Sequence, residues 1–359
     1  MVVTHPADLF YLSGDSSELL YVPAEGPVLR AADTRLAFRG NTTTGIERLA
    51  ERVREEFGRM PRVLGLELDV LSLRRFMEFR RIFRGGVLID TSKAVLGARM
   101  IKSGWELERM EWAAERTAQV FAWAREAMRP GLTEIGFAGM LEARAGALGL
   151  GSRVRVRDYR TEGYPWHVLA GRSGGRVGVL DAPATGDGTS AAFPCGAGYR
   201  QLAPGEPVMV DFVTLMDGYH MDETRMLSMC GLSPKAEKAC RAAIEIHDHV
   251  LEKVKPGCIA DELFQSSVDI AASLGYHEAY LGPPGRKVRF VGHGIGVELI
   301  EPPLIAAGHE TVLKPGMTFA LEPKMVFEGE FAAGIESVVT VTETGCRRIS
   351  RVPVEVFYA

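Results

Sequence analysis

Residues 208–228 read VMVDFVTLMDGYHMDETRMLS, two apolar-rich runs on either side of Asp217-Gly218. Asp-Gly between such runs is a strong signal for a two-residue β-hairpin turn. With the turn there, Met216 faces Tyr219 and Val213 faces Asp222. Asp211 stands two residues before Val213 and shares its face, because strand side chains alternate. Asp211 and Asp222 then become diagonal cross-strand neighbours within reach of a shared ion. A slip of one residue would send the two carboxylates to opposite faces. Facing carboxylates in an apolar hairpin repel one another unless a cation lies between them. Arg225 is three residues from Asp222 and points to the other face, so a metal is the better candidate. The alternative is that one aspartate faces solvent at a sheet edge.

Two downstream segments add to this pair. FVGHGIG (290–296) sets His293 among glycines and reads as a loop in which backbone can approach a ligand closely. MTFALEP (317–323) reads as a strand ending at Glu322, and GIESVVTV (334–341) as a strand carrying Glu336 in apolar surroundings. A charge inside such a strand is costly unless it is paired or ligating. Asp211, Asp222, His293, Glu322 and Glu336 together make a set for two divalent ions, since carboxylates bridge ions and an imidazole completes one of them. Four carboxylates balance two dications. Oxygen ligands with one nitrogen suit Mn²⁺, Co²⁺, Fe²⁺ or Zn²⁺ and argue against an all-cysteine structural zinc site.

Around these segments the chain divides into an expected small mixed α/β domain over 1–103 and a second domain over 104–359. Glu18–Val22, Val28–Ala31 and Val63–Leu68 read as strands, and Ile46–Phe57 and Ser72–Phe83 as helices. In the second domain Trp105–Met128 reads as a helix before Pro130-Gly131, followed by a helix over Thr133–Leu148 and Gly149. Pro234–Val254, Pro256-Gly257, Ala260–Leu274 and Gly275 repeat the pattern. The recurrence predicts a duplicated α+β domain with equivalent strands side by side across a central site. Gly171–Thr189 is dense in small residues and reads as a binding loop or a plain surface insertion.

Composition narrows the partners. The 359 residues are 46% hydrophobic and 25% charged with a net charge of -4, which gives no electrostatic case for nucleic acid or an anionic membrane. Five cysteines without C-x-x-C spacing, and no signal-peptide pattern in MVVTHPADLFYLSGD, predict a cytoplasmic protein. His247 and His249, on the helix after Pro234, are expected at the surface. His220 is expected to point with Asp222, and Tyr219 away from it.

The pieces VDF…DGYHMDETR (210–225), GHGIG (292–296), GMTFALEP (316–323) and GIESVVTVTETG (334–345) resemble the metal signature of the pita-bread metallopeptidases: methionine aminopeptidase, aminopeptidase P, prolidase and creatinase. LGARMIKSGWELERM (96–110) resembles that family's entry into its catalytic domain. DLFYLSG (8–14) resembles part of the amino-terminal domain of prolidases and creatinases, with that domain's usual first strand and helix missing. The resemblance implies that Asp222 and Glu336 bridge two metals, that Asp211 binds one, and that His293 and Glu322 bind the other. It further implies a metal-bridging hydroxide as nucleophile, Glu322 as proton shuttle, and a homodimer.

Three positions depart from the family. Its proline-specific members carry histidines where this chain has Cys195 and Ile300, and an arginine where it has Gly334. Isoleucine donates no hydrogen bond and cysteine only a weak one. His167, in PWHVLAG, is a candidate replacement or a packed structural histidine, and Cys195 is a reactive thiol or a small buried residue. The resemblance therefore implies a metal-dependent Xaa-Pro aminopeptidase or dipeptidase. The changed positions leave open a hydrolase or lyase of a small non-peptide substrate, or a non-catalytic metal-binding module.

Overall fold

The computed structural model describes residues 1–16, 18–32, 44–151, 153–157, 166–177 and 182–359. Residues 178–181 of the expected 171–189 loop lie outside that set. The described residues fold as two units: Met1–Arg99 with Arg157, and the described parts of Met100–Val156 and Glu162–Ala359.

The first unit runs β1 (Val2–Val3), α1 (Pro6–Ser13), β2 (Glu18–Tyr21), β3 (Leu29–Ala32), α2 (Gly45–Phe57), β4 (Val63–Leu66), α3 (Leu73–Ile82), β5 (Val87–Asp90) and most of α4 (Ser92–Met100). Strands β1, β2 and β3 form an antiparallel sheet, and β4 pairs with β5 in parallel. One face of α2 supplies Ile46, Leu49, Ala50 and Val53 to a core with Leu64, Leu66 and Phe79. That spacing is the amphipathic stripe a core-facing helix needs.

The second unit begins with α5 (Gly104–Ala127) and α6 (Glu134–Ala147), followed by β6 (Trp166–Ala170), β7 (Val208–Met216) and β8 (Tyr219–Ser228). Ser103 and Glu106 cap α5 reciprocally, each side chain bonded to the other's backbone N–H. A second helix pair follows, α7 (Pro234–Lys253) and α8 (Ala260–Ser273). Then come β9 (Phe290–Gly294), β10 (Glu301–Ala306), β11 (Thr318–Leu321), β12 (Lys324–Phe327), β13 (Phe331–Gly334), β14 (Ser337–Val341), β15 (Cys346–Arg348) and β16 (Phe357–Tyr358). Gly131 and Gly257, between the helices of each pair, have φ of 82° and 91°. Gly149 and Gly275, after each second helix, have 79° and 83°. Only glycine takes these values readily, so the repeated punctuation in the sequence marks repeated geometry.

One sheet has the order β16-β8-β7-β6 and the other β10-β9-β11-β14-β15. Helices α7 and α8 cover the second through Ala239, Ile246, Val250 and Leu263, in one core cluster with Phe319 and Leu321. The β7–β8 turn falls on Asp217 (φ 48°) and Gly218 (φ 87°). Val213 opposes Asp222 and Met216 opposes Tyr219, the register the turn chemistry predicts. Among the described residues no helix is long and apolar enough to cross a membrane.

Three expectations are corrected. FVGHGIG is not wholly loop, because Phe290–Gly294 is a strand hydrogen-bonded on both sides. Gly334–Val341 is not one strand: β13 ends at Gly334 and β14 starts at Ser337, leaving Glu336 in the gap. His247 is fully buried and His249 partly so, because His247 lies on the same α7 stripe as Ala239, Ala243 and Ile246.

Candidate metal centre

Each expected residue reaches the centre from a different element. Asp211 on β7 and Asp222 on β8 share the inner face of the hairpin. His293 lies on β9 between Ala320 of β11 and Leu304 of β10. Its flanking glycines are dictated by strand packing: a Cβ at Gly292 would meet the Ala320 carbonyl oxygen at 2.4 Å, and one at Gly294 the Glu301 carbonyl oxygen at 2.3 Å. Glu322 follows β11, its N–H donating to the Val291 carbonyl at 2.8 Å. Glu336 enters through the gap between β13 and β14, where its N–H donates to the Thr224 carbonyl of β8 at 3.1 Å.

His293 Nε2 lies 3.5 Å from Glu322 Oε1, 3.8 Å from Asp222 Oδ2 and 4.0 Å from Glu336 Oε1. Ligand atoms about 2.1 Å from a common ion stand roughly 3–4 Å from one another, and Asp222, His293 and Glu336 each offer one atom within 4.8 Å of the others, with Glu322 Oε1 beside the imidazole. His293 Nδ1 faces the Gly294 carbonyl at 3.1 Å, and the tautomer that donates there leaves the Nε2 lone pair toward the carboxylates. Among the described residues, the buried Asp222 Oδ1 and Glu336 Oε1 have no hydrogen-bond partner. Such orphaned oxygens are costly unless a cation completes them. On this side the residues fit a divalent ion.

The other side of the cluster holds a residue that sequence reasoning missed. Lys324, first residue of β12 and 3% exposed, donates from Nζ to Asp211 Oδ2 at 2.8 Å and to Glu322 Oε2 at 2.7 Å. Glu336 Oε2 is 3.6 Å from the same ammonium. Thr224, also missed, donates its hydroxyl to Glu336 Oε2 at 2.7 Å. It sits two residues after Asp222 on one strand, so the alternation that joined Asp211 to Asp222 could have found it. Arg225 lies on the opposite face as expected, 3.2 Å from Glu223, and donates to the carbonyls of Thr224, Glu336, Val352 and Pro353.

The charges set the electrostatics. Burial, then Asp211, pushes the Asp222 carboxyl well above its usual range, and burial, then Asp222, does the same to Glu336. Burial would raise Asp211 as well, but the charge and hydrogen bond of Lys324, with His167 and His293, together outweigh it and hold Asp211 low. Lys324 is held well above its ordinary value because Asp211, Glu322 and Glu336 together outweigh its burial.

Of the remaining candidates, His167 borders the cluster. His167 of β6 stands opposite Asp211, and burial lowers its pKa against the pull of that carboxylate. Cys195 is buried and Ile300 is 42% exposed. His220 donates from its backbone N–H to the Gly296 carbonyl at 2.8 Å, and its Nε2 accepts from Arg155 N–H at 3.1 Å. It therefore props the segment after His293. Gly334 pairs with Lys324 across β12 and β13.

Comparison with known proteins sets this geometry in context. The sequence model of Metallopeptidase family M24 matches residues 108–343, and that of the Creatinase/Prolidase N-terminal domain matches 1–101. The chain is 34% identical over 157 residues to a probable dipeptidase PepE of Mycobacterium bovis, a match covering 44% of this chain and 40% of that relative's length. It is 27% identical over 282 residues to the Xaa-Pro dipeptidase of Lactobacillus helveticus, covering 78% and 68%. Among solved structures, an Xaa-Pro dipeptidase from Bacillus anthracis superposes with a TM-score of 0.82 at 22% identity, over 100% of this chain and 94% of that one. At that identity the likeness speaks for the pita-bread fold.

Proposed function

The chain belongs to metallopeptidase family M24, and from that membership we propose that it is a metal-dependent hydrolase of short peptides, an Xaa-Pro aminopeptidase or dipeptidase. One observation carries the reading: His293 Nε2 lies within 4.0 Å of oxygens on Asp222, Glu322 and Glu336, all buried. Asp211, Asp222, His293, Glu322 and Glu336 are the proposed metal-binding set, with Mn²⁺ or Co²⁺ favoured by their oxygen-rich chemistry. A divalent ion held there supplies Lewis acidity and brings water toward ionisation near neutral pH. Glu322, beside His293, is the proposed carrier of the proton between attacking water and leaving amine. Residues 1–103 and 104–359 are the proposed amino-terminal and catalytic domains. A cytoplasmic location and a homodimer belong to the same proposal, the first supported by five cysteines without a disulfide among them.

A second reading, hydrolysis or lysis of a small non-peptide substrate, is favoured by the three changed positions. Ile300 offers no donor, Cys195 is buried, and Gly334 carries no side chain beneath Lys324. Xaa-Pro dipeptides and Xaa-Pro-Yaa tripeptides, incubated with Mn²⁺-loaded protein beside Glu322→Ala, separate the readings. Turnover that disappears in the variant is expected. Metal-loaded protein that cleaves none of the panel would move the assignment to a non-peptide substrate.

A further inference from the structure

The two oxygens of Glu322, and those of Glu336, face different nitrogen groups. Glu322 Oε1 and Glu336 Oε1 turn toward His293 Nε2, at 3.5 and 4.0 Å. Glu322 Oε2 and Glu336 Oε2 turn toward Lys324 Nζ, at 2.7 and 3.6 Å. Asp211, the expected ligand of a second ion, meets the same ammonium at 2.8 Å. We propose that Lys324 takes the place of the second dication, so that the centre holds one metal ion through Asp222, His293, Glu322 and Glu336 beside a fixed ammonium. The proposal rests on the metal-centre reading above and departs from the two-ion complement that the family resemblance implies.

Three observations bear on it. The orphaned buried oxygens belong to Asp222 and Glu336, and a single ion beside His293 reaches both residues. Asp211 Oδ2, which a second ion would need, already accepts from the lysine, as does Glu322 Oε2 on the side away from His293. An ion sharing an oxygen with the ammonium would meet it at close range in a buried site, where the repulsion of like charges is strong.

The lysine is also held in place. Lys324 opposes Gly334, and a Cβ there would lie 2.6 Å from Lys324 Cγ and 3.3 Å from its Cβ. The stem thus fills the room that a side chain at 334 would take. Where the resemblance calls for an arginine the chain has that glycine, and it carries its positive charge on the facing strand.

Metal stoichiometry tests the proposal without reference to substrate. The full-length protein is dialysed against Mn²⁺ and its bound metal measured by mass spectrometry, with electron paramagnetic resonance to distinguish an isolated ion from a coupled pair. Lys324→Ala is compared, and Lys324→Met keeps the stem over Gly334 without the charge. The expected result is one isolated ion per wild-type chain and a second, coupled ion in at least one variant. Two coupled ions in the wild type would overturn the proposal even if neither variant folds. One ion in the wild type and in both folded variants would overturn the role given to Lys324. No ion in the wild type defeats the metal-centre reading itself, a different failure from a count of two.

Discussion

Thr224 shows how the centre depends on a residue that touches no metal. Its hydroxyl is fully buried and donates to Glu336 Oε2 at 2.7 Å, while its carbonyl accepts the Glu336 N–H. Partners of this kind orient a ligating carboxylate, and their loss typically weakens metal binding about 10–100-fold. Thr224→Val keeps the shape and removes the donor. Its Mn²⁺ affinity, measured by titration calorimetry, should fall by a factor in that range with the fold retained. An unchanged affinity would mean that the backbone contact alone fixes Glu336. The two aspartates were legible because alternation along a strand is a local rule, and Arg225 was rightly placed on the far face. Lys324 was not legible: in the sequence it is one lysine after Pro323. Its contacts arise only when β12 folds against β13 and turns the side chain onto Asp211.

At the scale of the element, the glycines around His293 read as a loop and proved to be a strand. Two neighbouring strands crowd β9 so closely that a Cβ at Gly292 or Gly294 would overlap a carbonyl oxygen of its neighbour. Small residues can mark either freedom or compression, and periodicity does not separate the two. Gly292→Ala should therefore force β9 and β11 apart, at a cost of about 1–3 kcal/mol as an overpacked site. Because β11 leads directly to Glu322, Mn²⁺ affinity should weaken along with stability. Urea denaturation of the apo-protein and calorimetry of the loaded one check both halves. A variant as stable as the wild type would show that the strands separate freely. The Asp217-Gly218 turn was read correctly for the opposite reason, since its two positive φ angles are local properties of those two residues. The break at Glu336 was missed because GIESVVTV is apolar enough to pass for one strand, and the interruption is imposed from β8 by the Thr224 carbonyl.

At the scale of the whole chain, the helix, Pro-Gly, helix pattern was legible as a repeat because left-handed glycines punctuate it. The burial of His247 was overlooked, although its place on the α7 stripe was there to be counted. Composition did not reveal how the first unit titrates. Glu67 is fully buried in that unit, with Oε2 accepting from the N–H groups of Thr4 and His5 at 2.7 and 3.0 Å. Burial, then Asp8, pushes its carboxyl up to about 8 from an ordinary 4.5. Asp8 moves the other way, to about 2, because hydrogen bonding and the guanidinium groups of Arg99 and Arg157 outweigh its burial. A raised carboxyl stabilises the folded state below its unfolded pKa, and that contribution drains away as pH rises through the folded value. Asp8 contributes above 3.8 and loses its effect as pH falls toward about 2. His5, lowered to about 4 chiefly by burial, reaches its full contribution above 6.5. Between pH 6.5 and about 8, Glu67 is therefore the carboxyl of this cluster that still titrates, and it destabilises the folded unit progressively. Glu67→Gln mimics the protonated acid, keeping an acceptor for Thr4 and His5 and removing the charge. Hydrogen exchange of peptides spanning β1 and β4, corrected for the intrinsic pH effect, reads the local stability of this unit. The advantage of the variant over wild type should grow from pH 6 to pH 8.5, reaching on the order of a few kcal/mol from a shift of this size. The Met1 amine, lowered by burial, is common to both proteins and cancels in the difference. A difference that stays flat across that interval would mean Glu67 is already ionised at neutral pH, and that Arg99 and Arg157 reach beyond Asp8 to hold its charge.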